Sequence, residues 1–83
     1  MSSRARLTLY GRAYCHLCHD MLAALEYLRG EFFFELDVVD VDADPALEQK
    51  YNELVPVLAI DGEELCHYFL DEAKVREYLS HFR

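Results

Sequence analysis

Cysteine is scarce and odd in number, with three in 83 residues. A small secreted domain held by disulfides usually carries four or more in an even count, so a disulfide framework is excluded. No secretory signal is expected, because Arg4 and Arg6 are followed by too short an apolar run before Gly11-Arg12. No run approaches the roughly 18 consecutive apolar residues of a membrane span. Basic residues are few: eight Lys and Arg stand against sixteen Asp and Glu, for a net charge of -8. Nucleic acid binding needs a basic patch, so no nucleic acid partner is expected; the negative charge reads as a solubilising surface, or else as an acidic docking face for a basic partner. There is no internal repeat, low-complexity stretch or linker. These absences predict one domain over residues 1–83, with Met1–Ala5 as a loose leader, monomeric, off the membrane and placed in a reducing cytoplasm.

What is present centres on Tyr10-Gly11-Arg12-Ala13-Tyr14-Cys15-His16-Leu17-Cys18-His19, which holds two of the cysteines spaced C-x-x-C. Arg6–Tyr10 before it alternates polar and apolar residues as a strand does. After it, Leu17, Met21, Leu22, Leu25 and Leu28 recur at helical spacing, predicting a helix over Cys15–Arg29 with Gly30 as its stop. The thiols therefore sit where a strand ends and a helix begins. A helix N-terminus carries unpaired N–H groups and about half a positive charge. It favours the thiolate, the attacking form of cysteine.

The rest of the chain predicts a second strand over Phe32–Val41. Its near-continuous apolar content suggests burial on both faces. Asp44-Pro45 opens a short helix to Asn52, with Leu47 and Tyr51 on one face. Pro56 bars a helix, Val57–Ile60 reads as a third strand, and Asp61-Gly62 is a two-residue turn. Glu64–Tyr68 returns as the fourth strand. Asp71 caps a last helix over Glu72–Phe82. The order β-α-β-α-β-β-α makes an α/β domain with a four-stranded mixed sheet and helices on both faces.

Several residues resemble the thioredoxin fold, and most nearly its glutaredoxin-like group. They are Leu7-Thr8-Leu9-Tyr10-Gly11-Arg12, Cys15-His16-Leu17-Cys18, Asp40-Val41-Asp42, Leu54-Val55-Pro56-Val57 and Asp61-Gly62. The likeness spans roughly residues 5 to 82. It implies a thiol–disulfide oxidoreductase in which Cys15 is the nucleophile, Cys18 the resolving cysteine, and Pro56 the cis-proline across from them. A cis Val55–Pro56 bond would offer the Val55 backbone to an extended substrate. The sequence departs from the group in carrying His16-Leu17 where glutaredoxins have Pro-Tyr. It also has no Gly-Gly pair within Leu65–Asp71, where the group's backbone amides hold glutathione.

The residue types support that chemistry independently. Thiol–disulfide exchange needs a thiolate and a second thiol near enough to release the mixed disulfide. Cys15 has the helix end, Arg12 and His16 as neighbours, and Cys18 three residues on can reach it. Arg12, Tyr14, His16, Leu17, Val55 and Pro56 are the expected substrate contacts. Tyr10 and Tyr14 either line a groove or cover the core. C-x-x-C-H fits haem attachment but lacks the export signal and helical fold of that class. Zinc could be held by the two cysteines with His16, His19, Cys66 or His67, the last two only if the hairpin lay across from the first helix, and an iron–sulfur cluster of the kind some glutaredoxin relatives hold usually goes with a glutathione site. An inert scaffold is the remaining alternative. Cys66 alone is expected to be a small buried hydrophobe, and His67 and His81 surface residues. One of Asp37, Asp40 and Asp42 is a candidate proton acceptor for Cys18. No bound cofactor or metal is expected. Glutathione is an expected co-substrate, disulfide-bearing proteins are expected partners, and either glutathione or a thioredoxin reductase restores the dithiol.

Overall fold

A computed structural model describes residues 5–51 and 53–81. The elements run β1 (Ala5–Gly11), α1 (His16–Leu28), β2 (Phe34–Asp40), a 3-10 turn (Val41–Ala43), α2 (Pro45–Tyr51), β3 (Val57–Ile60), β4 (Glu63–His67) and α3 (Glu72–Leu79). The sheet has the order β2-β1-β3-β4. β1 pairs parallel with β2 and antiparallel with β3, and β3 pairs antiparallel with β4. The fold is thioredoxin-like α/β, with a mixed sheet and three helices as expected. The expected Asn52 and Phe82 ends of the second and third helices, and residues 1–4 of the expected leader, lie outside the described residues; Ala5, expected to close that leader, is instead the first residue of β1, paired with Phe34 and fully buried.

β1 is central, so its alternating side chains serve two separate cores. Leu7 and Leu9 join Leu58 of β3, Met21, Leu25 and Leu28 of α1, and Val75 and Leu79 of α3 in the larger cluster. On the other face Tyr10, whose Cα partner is Val57, belongs to a smaller cluster of Val41, Tyr51, Val55, Val57 and Cys18. The short α2 therefore covers one face, and α1 with α3 covers the other. Each fully buried leucine contributes about 1.5–3 kcal/mol of transfer free energy, so the larger cluster carries most of the stability.

Three details differ from the sequence-based expectation. The buried stripe of α1 is Cys18, Met21, Leu25 and Leu28, while Leu17 is only half-buried. The helix starts one residue later than expected, with Cys15 outside it as N-cap, and this puts Cys18 on the inner face. Gly30 is not a left-handed stop. The helix ends at Leu28 with Arg29 as its C-cap, and Gly30 donates to the Tyr27 carbonyl at 3.1 Å. β2 is not buried on both faces. It is an edge strand, with Val38 60% exposed and Phe33 outside the strand and exposed. An apolar run reports burial but not which neighbours supply it, and here one flank of the strand has none.

The β3–β4 hairpin follows its turn signal. Asp61 and Gly62 both have positive φ, 50° and 85°, as a type I′ turn requires. A bulge between Leu58 and Ala59 shifts the register beyond the Leu58–Cys66 pair.

Candidate active site

The site is assembled at the end of β1. Cys15 is the N-cap of α1, in extended conformation, and its sulfur accepts a hydrogen bond from the Cys18 backbone N–H at 3.1 Å. Cys15 and Cys18 are joined as a disulfide, with their Cα atoms 5.1 Å apart. Cys15 is half-buried, whereas Cys18 is 5% exposed and rests against Gly11. A Cβ at Gly11 would stand 2.9 Å from the Cys18 sulfur and 3.1 Å from its Cβ. Gly11 is thus required by close approach.

The loop from Gly11 to Cys15 is braced from both sides. Arg12 donates from Nε to Asp42 at 2.9 Å, tying the loop to the 3-10 turn after β2. Asp40 caps that turn by accepting from the Asp42 N–H at 2.9 Å. His19 donates from Nε2 to the Ala13 carbonyl at 3.0 Å. Sequence reasoning missed both Gly11 and His19 as parts of the site. A glycine in a strand just before a loop is the one signal that points to close approach.

The other expected contacts divide. Tyr14 is 99% exposed at the loop tip, so it does not cover the core. Tyr10 does: it stacks on Tyr51 with ring centroids 4.6 Å apart. His16 is exposed and faces Asp20 at 3.3 Å. Leu17 lies half-buried in the first turn. Val55 and Pro56 are buried, their peptide bond is cis, and Val55 shares the small cluster against which Cys15 packs. The Pro56 carbonyl accepts from the Tyr68 N–H at 2.9 Å. Tyr68 has φ 65° at the centre of a three-residue turn, in which Phe69 N–H donates to the His67 carbonyl at 2.7 Å. That conformation is costly for a residue with a side chain. Phe69 beside it is exposed.

Of the three candidate acids for Cys18, Asp37 pairs with Arg6 at 3.4 Å and Asp42 with Arg12, and all three are exposed. Asp40 alone shares a cleft with Cys18. The cleft holds about 260 Å³ between the loop, α1 and the end of β2, with Leu9, Leu22 and Val38 among its walls. Cys66 and His67 lie on the other edge strand, where His67 pairs with Glu64. No group of three or more His, Cys, Asp or Glu among the described residues is placed to hold a metal ion. Cys66 is half-buried against the larger cluster rather than wholly enclosed. Burial pushes its thiol above the ordinary value, opposed by a hydrogen bond from the Asp71 backbone.

The Glutaredoxin-like domain family (DUF836) matches residues 6–80. A protein of Mycobacterium tuberculosis described as uncharacterized is 30% identical over 79 residues, covering 89% of this chain and 81% of that protein. The solution NMR structure of a protein from Nitrosomonas europaea is 43% identical, with a TM-score of 0.83 and 95% of each chain covered. The X-ray structure of Fasciola hepatica thioredoxin is 25% identical, with a TM-score of 0.63, covering 99% of this chain and 84% of that one.

Proposed function

The chain belongs to the glutaredoxin-like domain family, and from that premise we propose that it is a thiol–disulfide oxidoreductase. The observation that carries the reading is the Cys15–Cys18 pair at the N-terminus of α1, with Cys15 as the cap and the more exposed residue of the two. In the reduced protein the Cys15 thiolate attacks one sulfur of a substrate disulfide. A mixed disulfide forms and one substrate thiolate leaves and takes a proton. Cys18 then attacks the Cys15 sulfur and releases the second thiolate. Two electrons and two protons pass to the substrate, and the Cys15–Cys18 disulfide remains for an external thiol to reduce. The helix N-terminus supports this order by favouring negative charge on Cys15.

The remaining roles belong to the same proposal. Tyr14, His16 and Leu17 contact substrate from the turn, Arg12 from its braced loop, and Val55 with Pro56 from the facing segment. Disulfide-bearing proteins are the substrates, with glutathione as co-substrate or reductant and a thioredoxin reductase as the other candidate reductant. The protein needs no bound cofactor or metal, does not bind nucleic acid or membrane, works as a monomer and acts in the cytoplasm. No helix among the described residues is long and apolar enough to cross a membrane.

The test is turnover of a mixed-disulfide substrate by two variants. Cys15→Ser abolishes it. Cys18→Ser accumulates a covalent adduct at Cys15, seen by mass. If Cys15→Ser turns over as fast as the parent, or if the protein arrives metal-loaded with both thiols shielded, the proposal fails.

A further inference from the structure

The strand β2 is unusual in being both accessible and chemically two-sided. It is an edge of the sheet, so alternate residues direct N–H and C=O groups away from β1. Its residues alternate between the faces. Val38 and Asp40 lie on the face of α1, at the cleft beside Cys18. Glu35 and Asp37 lie on the opposite face, where one guanidinium, Arg6, stands 3.5 Å and 3.4 Å from their carboxylates. One positive charge between two negative ones leaves that face acidic. At about 260 Å³ the cleft has room for one large apolar side chain.

We infer that the free edge of β2 is a docking site for an extended segment of a partner protein. That segment sets an apolar side chain into the cleft at Val38 and basic side chains over Glu35 and Asp37. Strand addition supplies main-chain hydrogen bonds, and the alternation of pockets supplies specificity. Directly opposed side chains on paired strands approach within about 4.5–5.5 Å, so the partner's lysines or arginines meet the carboxylates that Arg6 only half neutralises. A second copy of this chain does not fit. It would bring its own Glu35 and Asp37 to that edge, and like charges on neighbouring strands repel. The site lies on the side of Cys18 away from Pro56, so it is distinct from strand addition at Val55.

The experiment is NMR shift mapping on the full-length oxidised protein, with a synthetic hexapeptide of alternating lysine and leucine as the probe. Amide shifts confined to Glu35–Asp40, with methyl shifts at Val38 and Leu22, are the expected result. They are lost with the same peptide N-methylated at alternate residues, and with glutamate in place of lysine. Val38→Lys, at an exposed position, abolishes the shifts, and the double variant Glu35→Gln, Asp37→Asn weakens them. Absence of shifts, shifts centred elsewhere, or equal effects from the N-methylated peptide overturn the inference. Concentration-dependent shifts of β2 without peptide overturn it in favour of a second copy. The same mapping on Cys15→Ala, Cys18→Ala separates the two readings: docking persists there even if the redox proposal is wrong.

Discussion

Replacing Gly11 with alanine tests how tightly the redox pair is fitted to the sheet. The new methyl would lie 2.9 Å from the Cys18 sulfur and 3.1 Å from its Cβ. Ordinary carbon contacts lie at about 3.5–4.0 Å, so Cys18 must retreat by roughly half an ångström or more. Its neighbours do not yield easily, since Val41 and Val57 of the small cluster are fully buried. Overpacking of this kind costs about 1–3 kcal/mol. The cost differs between redox states. In the dithiol the Cys18 sulfur can turn away about its Cα–Cβ bond, leaving only the Cβ contact. In the disulfide the sulfur is held by Cys15 and both contacts persist. The disulfide is therefore destabilised more, and the midpoint moves in the oxidising direction. At 30 mV per 1.4 kcal/mol for a two-electron couple, a differential of about 1–2 kcal/mol gives roughly 20–40 mV. Urea denaturation of each redox form and a glutathione redox titration measure the two quantities. An unchanged midpoint together with equal losses of stability in both forms would refute the reasoning.

Two further predictions concern titrating groups. The Arg76 guanidinium bonds to both oxygens of Glu31, at 2.7 and 2.9 Å, and that hydrogen bond with the accompanying attraction holds the Glu31 carboxyl below its ordinary value. A depressed carboxylate stabilises the fold above its unfolded pKa of about 4.3 and loses that contribution as pH falls through the lower folded value. The stability gap between parent and Glu31→Gln is therefore open at neutral pH and closes in acid; a gap that widens on acidification contradicts the pairing. In the oxidised protein Cys66 is the free cysteine, and burial raises its thiol above the ordinary value. Iodoacetamide should label it more slowly at neutral pH than it labels an unfolded control, with the rate climbing as the solution is made alkaline. Equal rates by mass would contradict it.

Much of this architecture was legible because local chemistry and global fold agree. The Asp61-Gly62 turn needs two left-handed residues, and few other pairs supply them so readily. Asp71 caps α3 by accepting from the Lys74 N–H at 3.1 Å, as an aspartate just ahead of an amphipathic run suggests. C-x-x-C between a strand pattern and a helix pattern placed the cysteines. What was not legible depends on neighbours distant in sequence. Phe32-Phe33-Phe34 reads as one buried run, yet only Phe34 is buried within β2. Whether a strand is central or at the edge depends on the pairing of other strands, and no period in its own residues records it. The cleft is likewise built from β1, α1 and β2 together. The Gly11–Cys18 contact joins residues seven positions apart through the geometry of the turn between them.

The division of the interior into two clusters has a consequence for how such a protein can change. Leu7, Leu9 and Leu58 face one way from the sheet and Tyr10 and Val57 the other, while Cys18, at the start of α1, packs with the smaller cluster and also borders the cleft beside Leu9. A substitution at Leu25, Leu28, Val75 or Leu79 alters the durability of the scaffold without changing a residue that lines the cleft beside Cys18. A substitution under α2 alters the setting of the sulfurs while leaving the main reservoir of stability intact. Selection, or a designer, can therefore adjust lifetime and reactivity in separate steps, with β1 as the hinge of that bookkeeping.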